Sequence, residues 1–293
     1  MNNLKTHDVR VQKGDSAFLI DDGKTSILYD TGFGFTGFEI AENIKAILGD
    51  RPLDYIFLTH SHYDHALASA YILRYYPDAT VVAGSYAADI FKRDGAKRVM
   101  KELDNAFAAT CGVTDYEFLG DELRVDIPCE DGDIIKAGDM TFQAINLRGH
   151  TKCSVAYYCA DKKLLLSSET LGVYDGGYTD ASVMPSYLIG YQITLDSIEK
   201  ASKLDIKYLL SPHLGILDEK QTEFFLSHMK EAAVNTAETI LSEIKNGLSD
   251  EEIIANYKNK FWNGYNKEIY PEDAINLNTS ITIKLLRKEF NLE

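Results

Sequence analysis

Six consecutive residues, His60-Ser61-His62-Tyr63-Asp64-His65, place three imidazoles and a carboxylate in one short stretch. Neutral imidazole nitrogen and carboxylate oxygen are the ligands that zinc and similar borderline metals take. Alternate residues of an extended segment face the same way, so His60 and His62 point to one side, and Asp64 with His65 faces a second position. The stretch reads as half of a two-metal site. The plainer alternative, a set of satisfied surface histidines, does not account for this spacing at the end of an apolar run.

The other ligands must come from elsewhere in the chain. His150 in Gly149-His150-Thr151, Glu169 in Ser168-Glu169-Thr170 and His213 in Ser211-Pro212-His213 each lie where an apolar run gives way to a loop. A rigid sheet positions ligands at such ends, and the loops leave room for substrate. Five of the seven histidines belong to this set, with His7 and His228 left over.

The elements that must position these residues follow from periodicity and turn chemistry. Residues 16–20 and 26–30 flank Asp21-Asp22-Gly23-Lys24 and predict a β-hairpin. Apolar Ile40, Ile44 and Ile47 predict a helix over 39–48. The strand 53–58 leads into the histidine stretch, followed by a helix over 66–76, a strand over 79–83 and helices over 85–93 and 97–108. Strand–helix alternation of this kind indicates an α/β layer arrangement. Strands are expected at 122–127, 133–136, 140–147, 154–159, 163–167 and 207–210, with a helix over 194–204. The Gly- and Tyr-rich stretch 172–191 has no clear period and suits a surface loop covering a site. Three helices, 218–246, 249–258 and 273–290, close the chain, the second with a capped start at Ser249-Asp250-Glu251-Glu252.

Bulk properties narrow the partners. The 293 residues carry 30 basic against 45 acidic side chains, a formal charge of −15, which opposes nucleic acid and anionic membranes and favours a small-molecule substrate. Cys111, Cys129, Cys153 and Cys159 form no CxxC pair and no disulfide-framework spacing, so reduced thiols in a cytoplasmic protein are expected. The stretch Met1–Asp8 lacks the basic and apolar regions of a secretory leader, and no run has transmembrane length. A homodimer is left open.

The composite of His60/His62/Asp64/His65, Gly149-His150-Thr151, an acid after the next hairpin at Glu169 and a last histidine at His213 resembles the metallo-β-lactamase-fold hydrolase superfamily. Thioesterase and glyoxalase II-like members with a C-terminal helical extension are the nearest in plan. Asp30-Thr31-Gly32 and Asp131-Gly132-Asp133 match further family positions, so the resemblance covers about residues 8–217. It implies an αββα four-layer sandwich as catalytic domain over residues 1–217. Residues 218–293 would then be a helical extension serving as cap, lid or dimer surface, with Phe261, Trp262, Tyr265 and Tyr270 lining the mouth of the site if it is a lid. It also implies one metal on His60, His62 and His150, a second on Asp64, His65 and His213, and Glu169 bridging them.

Two divalent cations so placed would acidify a shared water and polarise the bond under attack, with Asp64 both ligating and orienting the nucleophile. Zinc is the first expectation. Iron and manganese are alternatives because Glu169 stands where the family usually has Asp. Arg148 and Pro212 are further departures, at positions often held by Pro and Gly. The function expected is hydrolysis of a small ester-like substrate, thioester or lactone preferred. The alternatives are a small-molecule phosphodiesterase, a diiron redox enzyme and a poorly active metal-containing regulatory protein. Tyr174, Tyr178, Tyr187 and Tyr191 are expected to pack and order their loop, and Cys153 is the thiol to check against the metals.

Overall fold

Residues 4–292 are described in a computed structural model of the chain. Met1 to Asn3, which begin the stretch read for a leader, and Glu293 lie outside the described residues. The chain divides into two compact units, Met1–Asn146 with Val155–Leu166, and Leu147–Ser154 with Ser167–Glu293.

In the first unit, β1 (Lys5–Asp8), β2 (Phe18–Asp21) and β3 (Ser26–Tyr29) run antiparallel, the last two as the expected hairpin. Next to β3, β4 (Tyr55–Phe57), β5 (Thr80–Gly84) and β6 (Ile127–Cys129) add in parallel. Parallel neighbours need crossovers, and helices supply them. They are α1 (Gly37–Leu48), α2 (Tyr63–Ala66) with α3 (Ser69–Tyr75), and α4 (Ser85–Phe91) with α5 (Asp94–Thr110). The i, i+4 spacing of Ile40, Ile44 and Leu48 buries one face of α1.

The sixth strand begins later than its expected span of 122–127. Gly120–Glu122 forms a 3-10 turn, and β6 instead passes through Pro128. Proline is tolerated there because β6 is the edge of the sheet, where the missing N–H breaks no ladder bond. The strands β7 (Ile134–Ala137), β8 (Met140–Asn146), β9 (Val155–Cys159) and β10 (Leu164–Leu166) form an antiparallel meander. Phe57 of β4 packs its ring 5.2 Å from Phe142 of β8 and 4.7 Å from Tyr157 of β9, so the unit's core lies between the two sets of strands.

The second unit contains the hairpins β11 (Val173–Tyr174) with β12 (Val183–Met184), and β13 (Tyr208–Ser211) with β14 (Gly215–Ile216). Helix α6 (Tyr191–Ala201) lies between them, and α7 (Glu219–Lys245), α8 (Asp250–Phe261), α9 (Gly264–Ile269) and α10 (Glu272–Glu289) follow. Capping boxes at Asp218/Gln221 and Ser249/Glu252 start α7 and α8, the second as the sequence indicates.

The stretch 172–191 differs from the surface loop expected. It holds the β11/β12 hairpin, and Val173, Tyr174, Met184 and Tyr187 are buried. Its apolar residues have helices to pack on, with the Tyr174 ring 5.5 Å from Phe225 of α7. Cys111, Cys129, Cys153 and Cys159 are free thiols. Burial pushes the Cys129 thiol up to about 12, which makes it inert. No helix among the described residues is long and apolar enough to cross a membrane.

Candidate metal centre

In the first unit, the histidine turn 60–65 emerges from the carboxyl end of β4, the end where open parallel sheets carry their sites. His60 is fully buried, and His62 caps the start of α2 in extended conformation. The His62 carbonyl accepts from the His65 and Ala66 amides, which turns the chain back on itself. The result is a cluster in which the His60 ring lies 4.0 Å from the His65 ring and 4.5 Å from the His62 ring. Asp64 Oδ2 is 3.6 Å from His65 Nε2. His60 and His65 are fully buried, whereas His62 and Asp64 are partly buried, with the Asp64 side chain 14% exposed, so the turn presents one enclosed pair and one that reaches the surface.

Asp30, at the carboxyl end of β3, sets the imidazoles. The adjacent parallel strands pair Tyr29 with Phe57, which brings the Asp30 carboxylate beside Thr59. Asp30 Oδ1 accepts from the Thr59 amide at 2.8 Å. Its Oδ2 accepts from the Thr59 hydroxyl at 3.0 Å, the Ser16 hydroxyl at 3.0 Å and His65 Nδ1 at 2.8 Å. With its proton given to Asp30, the Thr59 hydroxyl accepts from His60 Nδ1 at 3.0 Å. Both histidines therefore carry hydrogen on Nδ1 and a lone pair on Nε2, the tautomer a metal requires. Nothing in the sequence singles out Asp30 as a positioning group. The available signal was its place in the Asp30-Thr31-Gly32 turn, where the Thr31 amide and hydroxyl both donate to the His65 carbonyl. Gly32, at φ +83°, lies so close to Asp15 that a Cβ would stand 2.4 Å from its Oδ1.

In the second unit, His150 occupies a turn closed by Leu147 and Ser154, whose Gly149 carbonyl accepts from the Leu188 and Ile189 amides. A side chain at Gly149 would collide with Thr194 Oγ1 and Thr170 Cγ2, so glycine is required for this close approach. The Ser186 hydroxyl receives His150 Nδ1 at 2.7 Å, again directing Nε2 outward as acceptor. Glu169 opens a 3-10 turn, and His213 sits in the tight β13/β14 connection with φ +62°. The three are brought together: Glu169 Oε2 is 2.9 Å from His150 Nε2, and Oε1 is 3.4 Å from His213 Nε2. All three side chains are buried.

Two further contacts come from the C-terminal helices. The Tyr270 hydroxyl donates to Glu169 Oε1, and the Tyr265 hydroxyl donates to the His213 carbonyl. Other candidates stay outside the ligand sets. Arg148 is exposed, Cys153 Sγ lies against the Thr151 hydroxyl at 3.2 Å, and His228 stacks on Phe224. Tyr174 donates to the Gly177 carbonyl, and Tyr187 is buried, consistent with ordering roles.

Residues 13–213 match the model of the metallo-beta-lactamase superfamily, and the chain belongs to that superfamily. Among individual relatives, the metallo-beta-lactamase fold-containing protein ST1585 of Sulfurisphaera tokodaii is 25% identical over 181 residues, 60% of this chain and 66% of that protein. The acyl-coenzyme A thioesterase MBLAC2 of Bos taurus is 24% identical over 174 residues, 56% of this chain and 60% of that protein. The match thus spans about three-fifths to two-thirds of the length of these relatives. The crystal structure of metallo-beta-lactamase family protein TTHA1429 from Thermus thermophilus aligns with a TM-score of 0.65 over 99% of this chain and 95% of that one, at 15% identity. That likeness shows the fold and takes in the C-terminal helices.

Proposed function

We propose that the chain is a dinuclear metal-dependent hydrolase of a small ester-like substrate, with a thioester preferred over a lactone. The observation that carries the reading is the Glu169 carboxylate, whose two oxygens face His150 and His213, one histidine from each metal that the family resemblance implies. On the family resemblance, one ion would be held by His60, His62 and His150 and the other by Asp64, His65 and His213, with Glu169 shared by both. The donor set fits borderline divalent metals, since His60, His65 and His150 are fixed with the lone pair on Nε2 and the remaining donors are the imidazoles of His62 and His213 and the carboxylates of Asp64 and Glu169. When bound, such ions supply Lewis acidity and an acidified water.

The chain's own groups do the rest. Asp64, whose side chain reaches the surface, would accept a hydrogen bond from the attacking water and pass the water's proton towards the leaving group. Next to it in the chain, Tyr63 belongs to an aromatic cluster around buried Phe33, whose half-buried rings Tyr63, Phe35 and Phe107 would offer a surface to an apolar acyl portion. The Phe33 ring lies 5.5 Å from Tyr63, 5.3 Å from Phe35 and 4.5 Å from Phe107, and Phe35 lies 6.2 Å from Tyr116. The thioesterase named among the relatives supports this substrate class. The charge of −15 supports a small molecule over nucleic acid, and the buried free thiols suit a cytoplasmic setting.

Metal analysis of protein expressed with ample zinc, iron and manganese, followed by a panel of acyl thioesters, lactones and phosphodiesters, tests the reading. Two equivalents of metal and thioester turnover are expected. Absence of metal would overturn the reading, and bound metal without turnover on any substrate would make the chain a binding protein instead.

A further inference from the structure

The C-terminal helices are joined to the ligands of the second unit more directly than a cap or lid requires. Tyr265 lies in the first turn of α9 and Tyr270 directly follows its last residue, Ile269, and both are half-buried. Their rings pack, with Tyr257 and Trp262, against the buried cluster of Val173, Met184, Phe261, Ile269 and Ile275. Trp262 Nε1 donates to the Tyr270 carbonyl at 2.9 Å, which fixes the backbone that carries the phenol. From this support the Tyr270 hydroxyl donates to Glu169 Oε1 while its ring meets the His213 imidazole edge-on at 5.6 Å. Tyr265 donates to the carbonyl of His213, the residue whose left-handed backbone is costly for a non-glycine.

We propose that Tyr270 is a positioning residue for Glu169 and Tyr265 for His213, so that the α8–α10 segment is a strut of the metal centre. The inference rests on the metal-binding reading above, and it makes the metal affinity of residues 150–213 depend on hydroxyls over fifty positions away. Glu169 is one methylene longer than the aspartate usual in the family and has more rotamers to lose on binding. A donor on Oε1 removes part of that freedom before metal arrives. Groups that hydrogen-bond a ligand in this way change metal affinity by roughly 10–100-fold when removed.

The test uses the full chain with zinc as probe, in competition with a chromophoric chelator. Tyr270→Phe keeps the ring in its cluster and is expected to weaken zinc binding about 10-fold or more. Tyr265→Phe, an independent arm should the first variant fail to fold, is expected to weaken it several-fold. Tyr257→Phe is the control, because its hydroxyl donates to the Pro185 carbonyl at 2.9 Å from the same cluster and touches no candidate ligand. It should leave zinc affinity unchanged. Wild-type affinity in both Tyr270→Phe and Tyr265→Phe, or an equal loss in Tyr257→Phe, would overturn the proposal. A wild-type chain that binds none of zinc, iron and manganese would overturn both this proposal and the proposed function, and one that binds only iron or manganese is put through the same comparison with that metal. Zinc binding without turnover would overturn the hydrolase reading alone and leave the affinity comparison decisive.

Discussion

The two halves of the candidate ligand set are built on different principles. In the first unit, four candidate ligands lie within six residues, and one buried carboxylate, Asp30, orients His65 directly and His60 through Thr59. In the second unit, His150, Glu169 and His213 come from three separate segments, and each has its own partner in Ser186, Tyr270 and Tyr265. A contiguous turn fixes its ligands by local backbone geometry and concentrates the support in one group. A dispersed set spreads the support, so each partner matters less and more of the chain is involved.

The largest effects are expected from the candidate ligands of the turn that reach the surface. Asp64→Ala removes both a candidate ligand and the proton carrier, and should lower the hydrolysis rate on the order of 10³-fold while lowering metal stoichiometry. His62→Ala should lower metal and rate together. Unchanged metal content and rate in either variant would show that the turn is not the ligand half it is taken to be.

Removing the supports tests the contrast itself. Asp30→Ala leaves two backbone or side-chain donors of Thr59, the Ser16 hydroxyl and His65 Nδ1 without their buried acceptor. A loss of about 3–5 kcal/mol in folding stability is expected, measured by urea unfolding of the metal-free chain. Ser186→Ala should cost about 0.5–1.5 kcal/mol, because the Ser186 carbonyl remains 3.2 Å from His150 Nδ1 as a second acceptor. Equal costs in the two variants would mean that concentrated and distributed support are not energetically distinct.

The same contrast explains what the sequence disclosed. The ligand turn is legible because spacing within six residues carries its geometry, and His150, Glu169 and His213 are legible because each ends an apolar run. Asp30 is not legible as a positioning group, since its partners meet only when β3 and β4 lie side by side. Tyr270 stands 101 positions from Glu169, and no local pattern links them. The fold shows the same division. Helix starts with capping boxes and the β2/β3 hairpin follow local rules, whereas the place of β6 at the sheet edge and the burial of 172–191 depend on contacts made at a distance.

The last expected effect concerns pH, and it separates the units by a different chemistry. Asp15 and Asp104 hold the backbone that follows Asp30-Thr31-Gly32. Asp15 accepts from the Phe33 amide and the Thr36 hydroxyl, and Asp104 accepts from the Gly34 amide and the Tyr116 hydroxyl. Burial pushes each carboxyl up from 3.8 to about 6, against the lowering effect of these hydrogen bonds, and the neighbouring Asp15 charge adds to the rise at Asp104. A raised carboxyl binds its proton more tightly in the folded chain, so its contribution to stability is fully present below about 3.8 and is lost as pH rises through about 6. Each group should therefore make the stability of the metal-free chain fall by at most about 1.4 kcal/mol per pH unit across that window. Asp15→Asn abolishes one titration, and whatever its hydrogen bonds cost in level, its stability-versus-pH curve should fall less steeply than wild type between pH 4 and 6. Ser186→Ala, which changes a support in the other unit without removing a titrating group, should keep the wild-type slope. Parallel curves for wild type and Asp15→Asn would show that burial of this acid does not couple the first unit's stability to pH.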